Sequence, residues 1–452
     1  MSTTNNNFEV KPISSPDSNT IEKYKQENQY DNSFCEEQLE HVPKGTASFG
    51  RIVFMLLKAF IGTGVIFLPG SFVNGGLALS IVLMIVIAII CLAAYQLLVK
   101  AQSEVGGSYG DVAQHLYGAW LRHISHLFIC LTQMGFVASY FIFISGNVNT
   151  VVNTLNNCNT PFESKYYIWI FLAFMIPFCW VRKIARLSWL AILADVFISF
   201  GLICVIYFSS TQIAQHGVGN NIHLVNPNNF GLMIGTAVFS YEGIGMVLPI
   251  LEGMKEPEKF PRALNIAMLI CTLVFLLIGC MGYIAYGDMT QATVVANFPR
   301  MPLSVTVQLL YAIAMTLSSP FMLYPPLIII ENYVFGNRSG KNNLKIKMSK
   351  NLVRTLVVTV CAIVSFCVGA SNLDKFVSLV GSVACMPISF IFPGLFHYKI
   401  ATKRITKIGD IALIVFGFGI LIYTMYVNID SWVNPVATGG IALPSANACG
   451  YE

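Results

Sequence analysis

The residues best placed to do chemistry lie in two short glycine-rich breaks within long apolar stretches. The first break reads Phe60-Ile-Gly-Thr-Gly-Val65, and the second reads Ser240-Tyr-Glu-Gly-Ile-Gly245. Inside a membrane, irregular backbone is tolerated only where it faces protein or a water-filled cavity. Two breaks in corresponding positions of two halves therefore indicate a solute-binding site near the middle of a membrane.

The second break carries the carboxyl group of Glu242. An ionisable side chain at that depth is costly and is by default a functional hypothesis. Loss of water favours its proton-bound form, so Glu242 could bind a proton in one orientation of the protein and release it in the other. It could instead face the ammonium group of a bound solute, or it could hydrogen-bond the irregular backbone without ever titrating. The sequence leaves these interpretations open.

Two further ionisable residues, Lys58 and Asp195, fall inside predicted spans. Pairing would neutralise two charges that are costly in lipid, so we predict an ion pair between them. A proton-relay role for Asp195 is the alternative. Lys58 also lies near enough to the cytoplasmic end of its span for its long side chain to reach the interface.

The composition places these residues in a membrane. Hydrophobic residues make up 55% of the 452-residue chain and charged residues only 11%, less than half of the roughly 25% found in soluble domains. The chain is therefore predicted to be an all-α polytopic membrane protein. Apolar runs of about 20 residues predict eleven spans, at 52–72, 76–99, 122–147, 166–181, 187–209, 230–251, 263–286, 302–330, 352–370, 375–397 and 409–430.

The basic residues predict the orientation of these spans. With a cytoplasmic N-terminus, almost all of the 27 Lys and Arg residues fall in cytoplasmic segments, as the positive-inside rule requires. The C-terminal tail, 431–452, is then lumenal or extracellular. Residues 1–50 are polar and are predicted to form a disordered cytoplasmic tail. Cys158 and Cys449 share the non-cytoplasmic side, and whether they form a disulfide stays open.

The layout of the spans predicts an internal repeat. Five spans cover 51–209 and the next five cover 230–398, and each glycine break falls a similar distance into the first span of its block. Because each block holds an odd number of spans, the second block enters the membrane from the opposite side. The two blocks therefore form an inverted repeat, and the eleventh span, 409–430, stands outside it.

Several stretches resemble one transporter family. The segment Lys58-Ala-Phe-Ile-Gly-Thr-Gly-Val-Ile-Phe-Leu-Pro69 resembles the first-helix signature of the amino acid/auxin permease (AAAP) family, in particular its fungal vacuolar members and their proton-coupled lysosomal relatives. Further matching stretches, spread over most of 48–430, are Ser108-Tyr-Gly-Asp-Val112, Tyr241-Glu-Gly-Ile-Gly245, Pro257-Glu-Lys-Phe-Pro261 and Ser319-Pro-Phe-Met-Leu-Tyr-Pro325. The resemblance implies a LeuT/APC-type fold in which the first and sixth helices are broken.

The resemblance also implies how the breaks would act. N–H groups of the first break would receive a substrate carboxylate, aided by the positive end of a half-helix dipole. Carbonyl groups of the second break, together with Glu242, would meet the ammonium group. Ser240 and Tyr241 could tune selectivity for the substrate side chain, although packing explains Tyr241 equally well. The implied substrate-binding residues are Gly62, Thr63, Gly64, Val65, Ser240, Tyr241, Glu242, Gly243 and Gly245, and the candidates for proton coupling or ion pairing are Glu242, Asp195 and Lys58.

The expected function is secondary active transport of amino acids across a vacuolar or lysosomal membrane, with proton-coupled export from the lumen to the cytosol. A plasma-membrane permease and an amino-acid-binding nutrient sensor are the alternatives. The sequence has no P-loop to power a pump and no acidic cage for a metal. We therefore expect no enzyme activity, no resident cofactor and no nucleic-acid partner. The expected partners are amino acids and the lipid bilayer, with the oligomeric state left open. Sodium coupling through the hydroxyl groups of Thr316, Ser318 and Ser319 is the alternative to protons.

Overall fold

The computed structural model describes residues 45–156, 162–182, 184–336, 338 and 343–434. Most of the predicted N-terminal tail, most of the C-terminal tail, and both Cys158 and Cys449 lie outside these residues. Within the described part of the chain, all regular elements are helical except for one parallel bridge between Ala47 and Met254. The predicted all-α class is therefore confirmed.

The α-helices are numbered in chain order. The first block contains α1 (Phe49–Phe60), α2 (Leu68–Gly75), α3 (Leu77–Val105), α4 (Tyr109–Tyr117), α5 (Ala119–Leu155), α6 (Tyr167–Cys179) and α7 (Ile184–His216). The second block contains α8 (Phe230–Tyr241), α9 (Ile244–Glu252), α10 (Phe260–Tyr286), α11 (Pro302–Phe335), α12 (Leu344–Val368), α13 (Leu373–Val380) and α14 (Phe392–Ile400), and α15 (Arg404–Val433) follows.

The described residues contain nine helices that are long and apolar enough to cross a membrane. The number becomes ten if Phe49–Phe60 and Gly64–Gly75, which meet at a bend of 45°, form one span. A shorter apolar helix, Ser164–Cys179, lies at the position of the fourth predicted span. The chain therefore has the predicted architecture of several membrane-spanning helices. By length and apolarity the described residues contain nine or ten such spans, whereas the sequence predicted eleven.

Local sequence explains several helix boundaries. Ser108 and Asp111 form a capping box at the start of α4, since the Ser108 hydroxyl accepts a hydrogen bond from the Asp111 N–H and Asp111 accepts one from the Ser108 N–H. Gly76 separates α2 from α3 at a φ of 80°, a conformation that favours glycine. A Cβ there would also overlap the backbone of Leu224, so both space and conformation require glycine.

Two spans lie at the centre of the bundle. In the apolar stretch of Phe230–Glu252, and likewise in that of Ala370–Ile400, 89% of the residues are buried. The corresponding share in Arg404–Val433 is 11%. The central pair approaches so closely that a Cβ on Gly381 would overlap the carbonyl oxygen of Gly235. Helix α8 also packs against α2, α3 and α13, whereas α11 packs against α5 and α7. The helices that flank the first break, together with α3, therefore contact this central pair.

Candidate functional site

The first glycine break separates α1 from α2. Helix α1 ends at Phe60, and the Gly62 N–H bonds the Phe60 carbonyl at 2.9 Å instead of continuing the α-helical ladder. Gly62 has an extended backbone, with a φ of −97° and a ψ of −153°. The chain then forms a short 3₁₀ helix, Thr63–Phe67, that leads into α2. Irregular backbone thus occupies the predicted position.

The second break separates α8 from α9. Helix α8 ends at Tyr241, Glu242 adopts an extended conformation with a ψ of 123°, and α9 begins at Ile244. The Met246 N–H then bonds the Gly243 carbonyl at 2.9 Å. The interruption therefore covers Glu242 and Gly243, two of the residues singled out by their sequence pattern.

The two breaks contact each other directly. The Ser240 hydroxyl donates to the Thr236 carbonyl at 2.8 Å and lies 3.4 Å from the Gly64 carbonyl oxygen. A Cβ on Gly64 would lie 3.0 Å from the Ser240 Cα, and a Cβ on Gly243 would overlap the ring of Phe60. Both glycines are needed for this close approach.

The other two glycines of the breaks differ from these. A Cβ on Gly62 would meet no atom within 4 Å, and one on Gly245 would meet only the side-chain amide of Gln133 at 4.0 Å. Gly62 and Gly245 therefore border open space. The four glycines divide into two that allow the breaks to touch and two that leave room beside them.

Glu242 is buried, with 8% of its surface exposed. One carboxyl oxygen accepts a hydrogen bond from the Ile244 N–H at 3.2 Å, and the other accepts one from the Ser389 hydroxyl at 2.6 Å. In the described part of the chain, Glu242 makes no ion pair with Lys, Arg or His. A buried carboxyl group held by two neutral donors changes the net charge of the site whenever it binds a proton.

Sequence reasoning missed two residues that complete this arrangement. Ser389 belongs to the central span around Pro387, and Tyr95 belongs to α3. The Tyr95 hydroxyl donates to the Tyr241 carbonyl at 2.8 Å, and its ring stacks on Phe60 with centroids 5.9 Å apart. A serine or tyrosine inside an apolar run usually bonds its own helix or packs, so neither carried a distinctive signal.

Tyr241 packs away from the break. Its side chain is fully buried, its hydroxyl bonds Thr272 at 3.2 Å, and its ring packs on Phe275 with centroids 5.2 Å apart. Both partners belong to α10. This geometry favours the packing interpretation of Tyr241 over a role in selectivity.

The structure places Lys58 and Asp195 together. The Lys58 Nζ atom lies 3.1 Å from a carboxyl oxygen of Asp195, and each side chain is 32% exposed. This ion pair joins α1 to α7. The two opposite charges neutralise each other, so Lys58 is already paired. Glu242 is therefore a buried carboxyl group without a cation partner in the described site.

The hydroxyl groups proposed for sodium bond their own helix. Thr316 donates to the Ala312 carbonyl at 2.7 Å, and Ser319 donates to the Met315 carbonyl at 2.6 Å. Ser318 is buried beside them. No group of three or more His, Cys, Asp or Glu residues that could hold a metal occurs among the residues described.

The sequence of this chain matches a known family over most of its length. The model for the transmembrane amino acid transporter protein family matches residues 45–430. The chain belongs to this family. The AAAP resemblance noted from the sequence motifs is thereby confirmed, and the family consists of transporters rather than enzymes.

Curated fungal relatives are similar over most of this chain. Vacuolar amino acid transporter 3 of Schizosaccharomyces pombe is 37% identical over 383 residues, which cover 84% of this chain and 58% of the relative. Vacuolar amino acid transporter 3 of Saccharomyces cerevisiae is 39% identical over 391 residues, which cover 84% of this chain and 56% of the relative. The chain thus spans less than two thirds of the length of these relatives.

The fold is similar to that of a solved transporter. The inward-facing conformation of Mhp1 superposes with a TM-score of 0.56 at 12% identity, covering 90% of this chain and 94% of Mhp1. Mhp1 in a closed conformation with bromovinylhydantoin bound, described as a nucleobase-cation-symport-1 family transporter, gives a TM-score of 0.51 at 15% identity, covering 84% and 91%. At these identities the similarity concerns the fold alone.

Proposed function

We propose that this protein is a secondary active transporter that exports amino acids from the vacuolar lumen to the cytosol and is coupled to protons. The observation that carries the proposal is the direct contact of two helix breaks beside the buried carboxyl group of Glu242. Membership of the amino acid transporter family supports the substrate class. The vacuolar membrane is proposed by analogy with the fungal relatives.

The proposed topology has eleven spans. It counts α1 and α2 as one broken span, Ser164–Cys179 as the fourth, and α8 and α9 as the broken sixth. The N-terminus is then cytoplasmic and the C-terminus lumenal, in agreement with the placement of basic residues. The first ten spans form two inverted blocks, and the similarity to the Mhp1 fold supports this arrangement.

The breaks would hold the backbone part of an amino acid. The first N–H groups of the 3₁₀ segment Thr63–Phe67 have no earlier helical carbonyl to bond, so those of Thr63, Gly64 and Val65 would receive the substrate carboxylate. Carbonyl groups of the second break would accept from the ammonium group. The open space beside Gly62 and Gly245 would admit the substrate, whose side chain alone would differ between amino acids.

Glu242 would carry the coupling proton, and the site needs no resident cofactor. Burial disfavours its charged form, while the hydrogen bonds from Ile244 and Ser389 favour it. These opposing effects allow the group to bind and release a proton as its surroundings change. Each carboxyl oxygen accepts one hydrogen bond from the protein and keeps a second acceptor site, so the ionised group would also be able to accept from a substrate ammonium.

Transport in reconstituted vesicles tests this proposal. A panel of labelled amino acids is offered to wild type, Glu242→Gln and the exposed control Glu258→Gln under an imposed proton gradient. We expect wild type and the control to transport, and Glu242→Gln to lose pH dependence. Full pH-dependent transport by Glu242→Gln would overturn the coupling role. Failure of the wild type to move any amino acid would overturn the transport proposal.

The same vesicles separate proton from sodium coupling. Choline replaces sodium at constant pH while the proton gradient is kept. We expect uptake to be unchanged, since the proposed coupling group is the carboxyl group of Glu242, while the hydroxyl groups of Thr316 and Ser319 hydrogen-bond to carbonyl groups of their own helix. A loss of uptake without sodium would support the alternative of sodium coupling.

A further inference from the structure

The central span Ala370–Ile400 is not a regular α-helix. Between α13 and α14 lie two π-helical turns, Gly381–Cys385 and Pro387–Ile391. Pro387 has no N–H to give to the preceding turn, which helps to explain the wider winding. Single π turns inside helices occur frequently at functional sites. Here the first π turn packs against α8, and Ser389 of the second π turn contacts Glu242 in the second break.

The second π turn is anchored at two points. The Ser389 hydroxyl donates to Glu242 at 2.6 Å, and the Tyr109 hydroxyl of α4 donates to the Ile388 carbonyl at 2.8 Å. Ser389 is fully buried. It is also the one side chain among the described residues that donates a hydrogen bond to the Glu242 carboxyl group. The carboxyl group and the π turn are therefore joined by a single hydroxyl.

We propose that Ser389 is a positioning residue that links the protonation of Glu242 to the π-helical segment. This inference rests on the proposed proton-coupling role of Glu242. A serine hydroxyl has one donor and two acceptor sites. It donates to the ionised carboxylate, and it can accept from the protonated carboxyl group while donating to a carbonyl of its own helix.

The two states of this contact differ in strength. A hydrogen bond to an ionised acceptor is roughly twice as strong as one between neutral groups. The hydroxyl of Ser389 therefore holds the second break firmly against the π turn when Glu242 is ionised. Proton binding weakens that contact and frees the central span to shift relative to α8. The one bond formed is the O–H bond of the protonated Glu242 carboxyl group, which breaks again when the proton is released.

The remaining titratable neighbours of Glu242 are thiols and phenols. Those close enough to sense its charge are Cys91 and Tyr95 from α3, Tyr109 from α4 and Cys385 from the first π turn. On α1, Lys58 is engaged with Asp195 of α7. In the described site, the carboxyl group that faces Ser389 is therefore Glu242 itself.

The pH profile of transport tests this role. Removing the hydroxyl in Ser389→Ala takes one donor from the carboxylate, so we expect the pH of half-maximal transport to rise by about one unit. Ser389→Thr keeps a hydroxyl and should restore the wild-type midpoint. Ser382→Ala is the matched control, because this buried serine of the other π turn accepts a hydrogen bond from Asn428 at 3.4 Å. Its midpoint should equal that of wild type.

A second measurement does not require transport. The infrared band of the protonated carboxyl group is titrated in purified wild type, Ser389→Ala and Ser389→Thr, and Glu242→Gln identifies the band. We expect Ser389→Ala to titrate about one pH unit higher than wild type. A titration that matches wild type would overturn the role of Ser389.

The results separate this inference from the proposed function. If Glu242→Gln abolishes pH dependence while Ser389→Ala behaves like Ser382→Ala, Glu242 carries the proton and the inference about Ser389 is wrong. If Glu242→Gln keeps the wild-type profile, the coupling role of Glu242 itself is wrong. The inference is supported when Ser389→Ala shifts the midpoint and Ser389→Thr restores it.

Discussion

The hydroxyl group of Tyr95 donates a hydrogen bond to the carbonyl oxygen of Tyr241, across 2.8 Å, at the last residue of α8 before the second break. The ring of Tyr95 also stacks on Phe60, the last residue of α1 before the first break. One buried side chain of α3 therefore contacts both helix ends. This contact fixes the relative position of the two breaks without supplying any charge.

Replacement of Tyr95 by Phe separates these two contacts. Tyr95→Phe keeps the stacked ring but leaves the Tyr241 carbonyl without its donor, at a cost of about 1 kcal/mol in the free energy of unfolding. We expect a lower Tm and weaker amino-acid transport with an unchanged pH profile, since Glu242 keeps both donors. Tyr426→Phe, at an exposed position of α15, is the control and should change neither property. An unchanged Tm for Tyr95→Phe would show that the hydrogen bond is dispensable.

The glycines of the breaks should respond differently to alanine. Gly64→Ala places a methyl group 3.0 Å from the Ser240 Cα, and backbone cannot move aside cheaply in a packed interior. We expect Gly64→Ala to lose Tm and transport together. Gly62→Ala meets no atom within 4 Å, so it should fold with an unchanged Tm and raise the KM for amino acids by narrowing the open space. Equal Tm values for the two variants would contradict the close approach of the breaks.

The sequence was sufficient to predict the location of the breaks because glycine clusters and a carboxyl group are conspicuous inside apolar runs. The helical membrane class was equally predictable. The chain has too few charges for a soluble surface, and its apolar runs are about as long as a membrane-spanning helix. Both predictions rest on local composition, and local composition is fully visible in the chain.

The partners of those residues could not be predicted in the same way. Ser389 and Tyr95 acquire their roles from contacts with residues far away along the chain, and their types are ordinary for a membrane helix. The number of helices that meet the length and apolarity of a span falls below eleven because Ser164–Cys179 is short and because Phe49–Phe60 and Gly64–Gly75 meet at a bend of 45°. Length and hydropathy alone do not determine how such segments cross a bilayer.

The Lys58–Asp195 pair provides a test that distinguishes a structural ion pair from a proton relay. Asp195→Asn leaves the Lys58 ammonium without its partner, and we expect reduced Tm and transport. Because both side chains are about one third exposed to solvent, the loss should be modest, about 1 kcal/mol or less. The double variant Lys58→Gln/Asp195→Asn removes both charges and should recover transport with the wild-type pH profile. A flattened profile in the double variant would instead identify Asp195 as part of a relay.

The proposed orientation predicts opposite protease accessibility for two tags. A tag inserted at residue 345, in a segment rich in Lys, should be cleaved by protease added to the cytosolic side of sealed vacuoles. A tag at the C-terminus should be protected until detergent opens the vesicles. Cleavage of both tags in sealed vesicles would mean that the number of spans after residue 345 is even rather than odd.

The buried pair of Glu331 and Arg354 predicts a large effect outside the candidate site. Arg354 of α12 donates from its Nε atom to Glu331 of α11, and its Nη1 atom donates to the carbonyl groups of Cys179 and Val181, which lie at and after the end of α6. Both charged side chains are almost fully buried, and Lys350 lies 3.7 Å from Glu331. Three separate helices therefore depend on one guanidinium group.

Removing that guanidinium group should be strongly destabilising. Arg354→Met leaves Glu331 buried beside a more distant lysine, and we expect a loss of about 3–5 kcal/mol in the free energy of unfolding. The double variant Glu331→Gln/Arg354→Met removes the uncompensated charge and should recover part of that loss. Exposed Arg404→Met is the matched control and should leave the Tm unchanged. If the single and double variants have the same Tm, the contribution of Arg354 comes from its bonds to the Cys179 and Val181 carbonyls rather than from its charge pair.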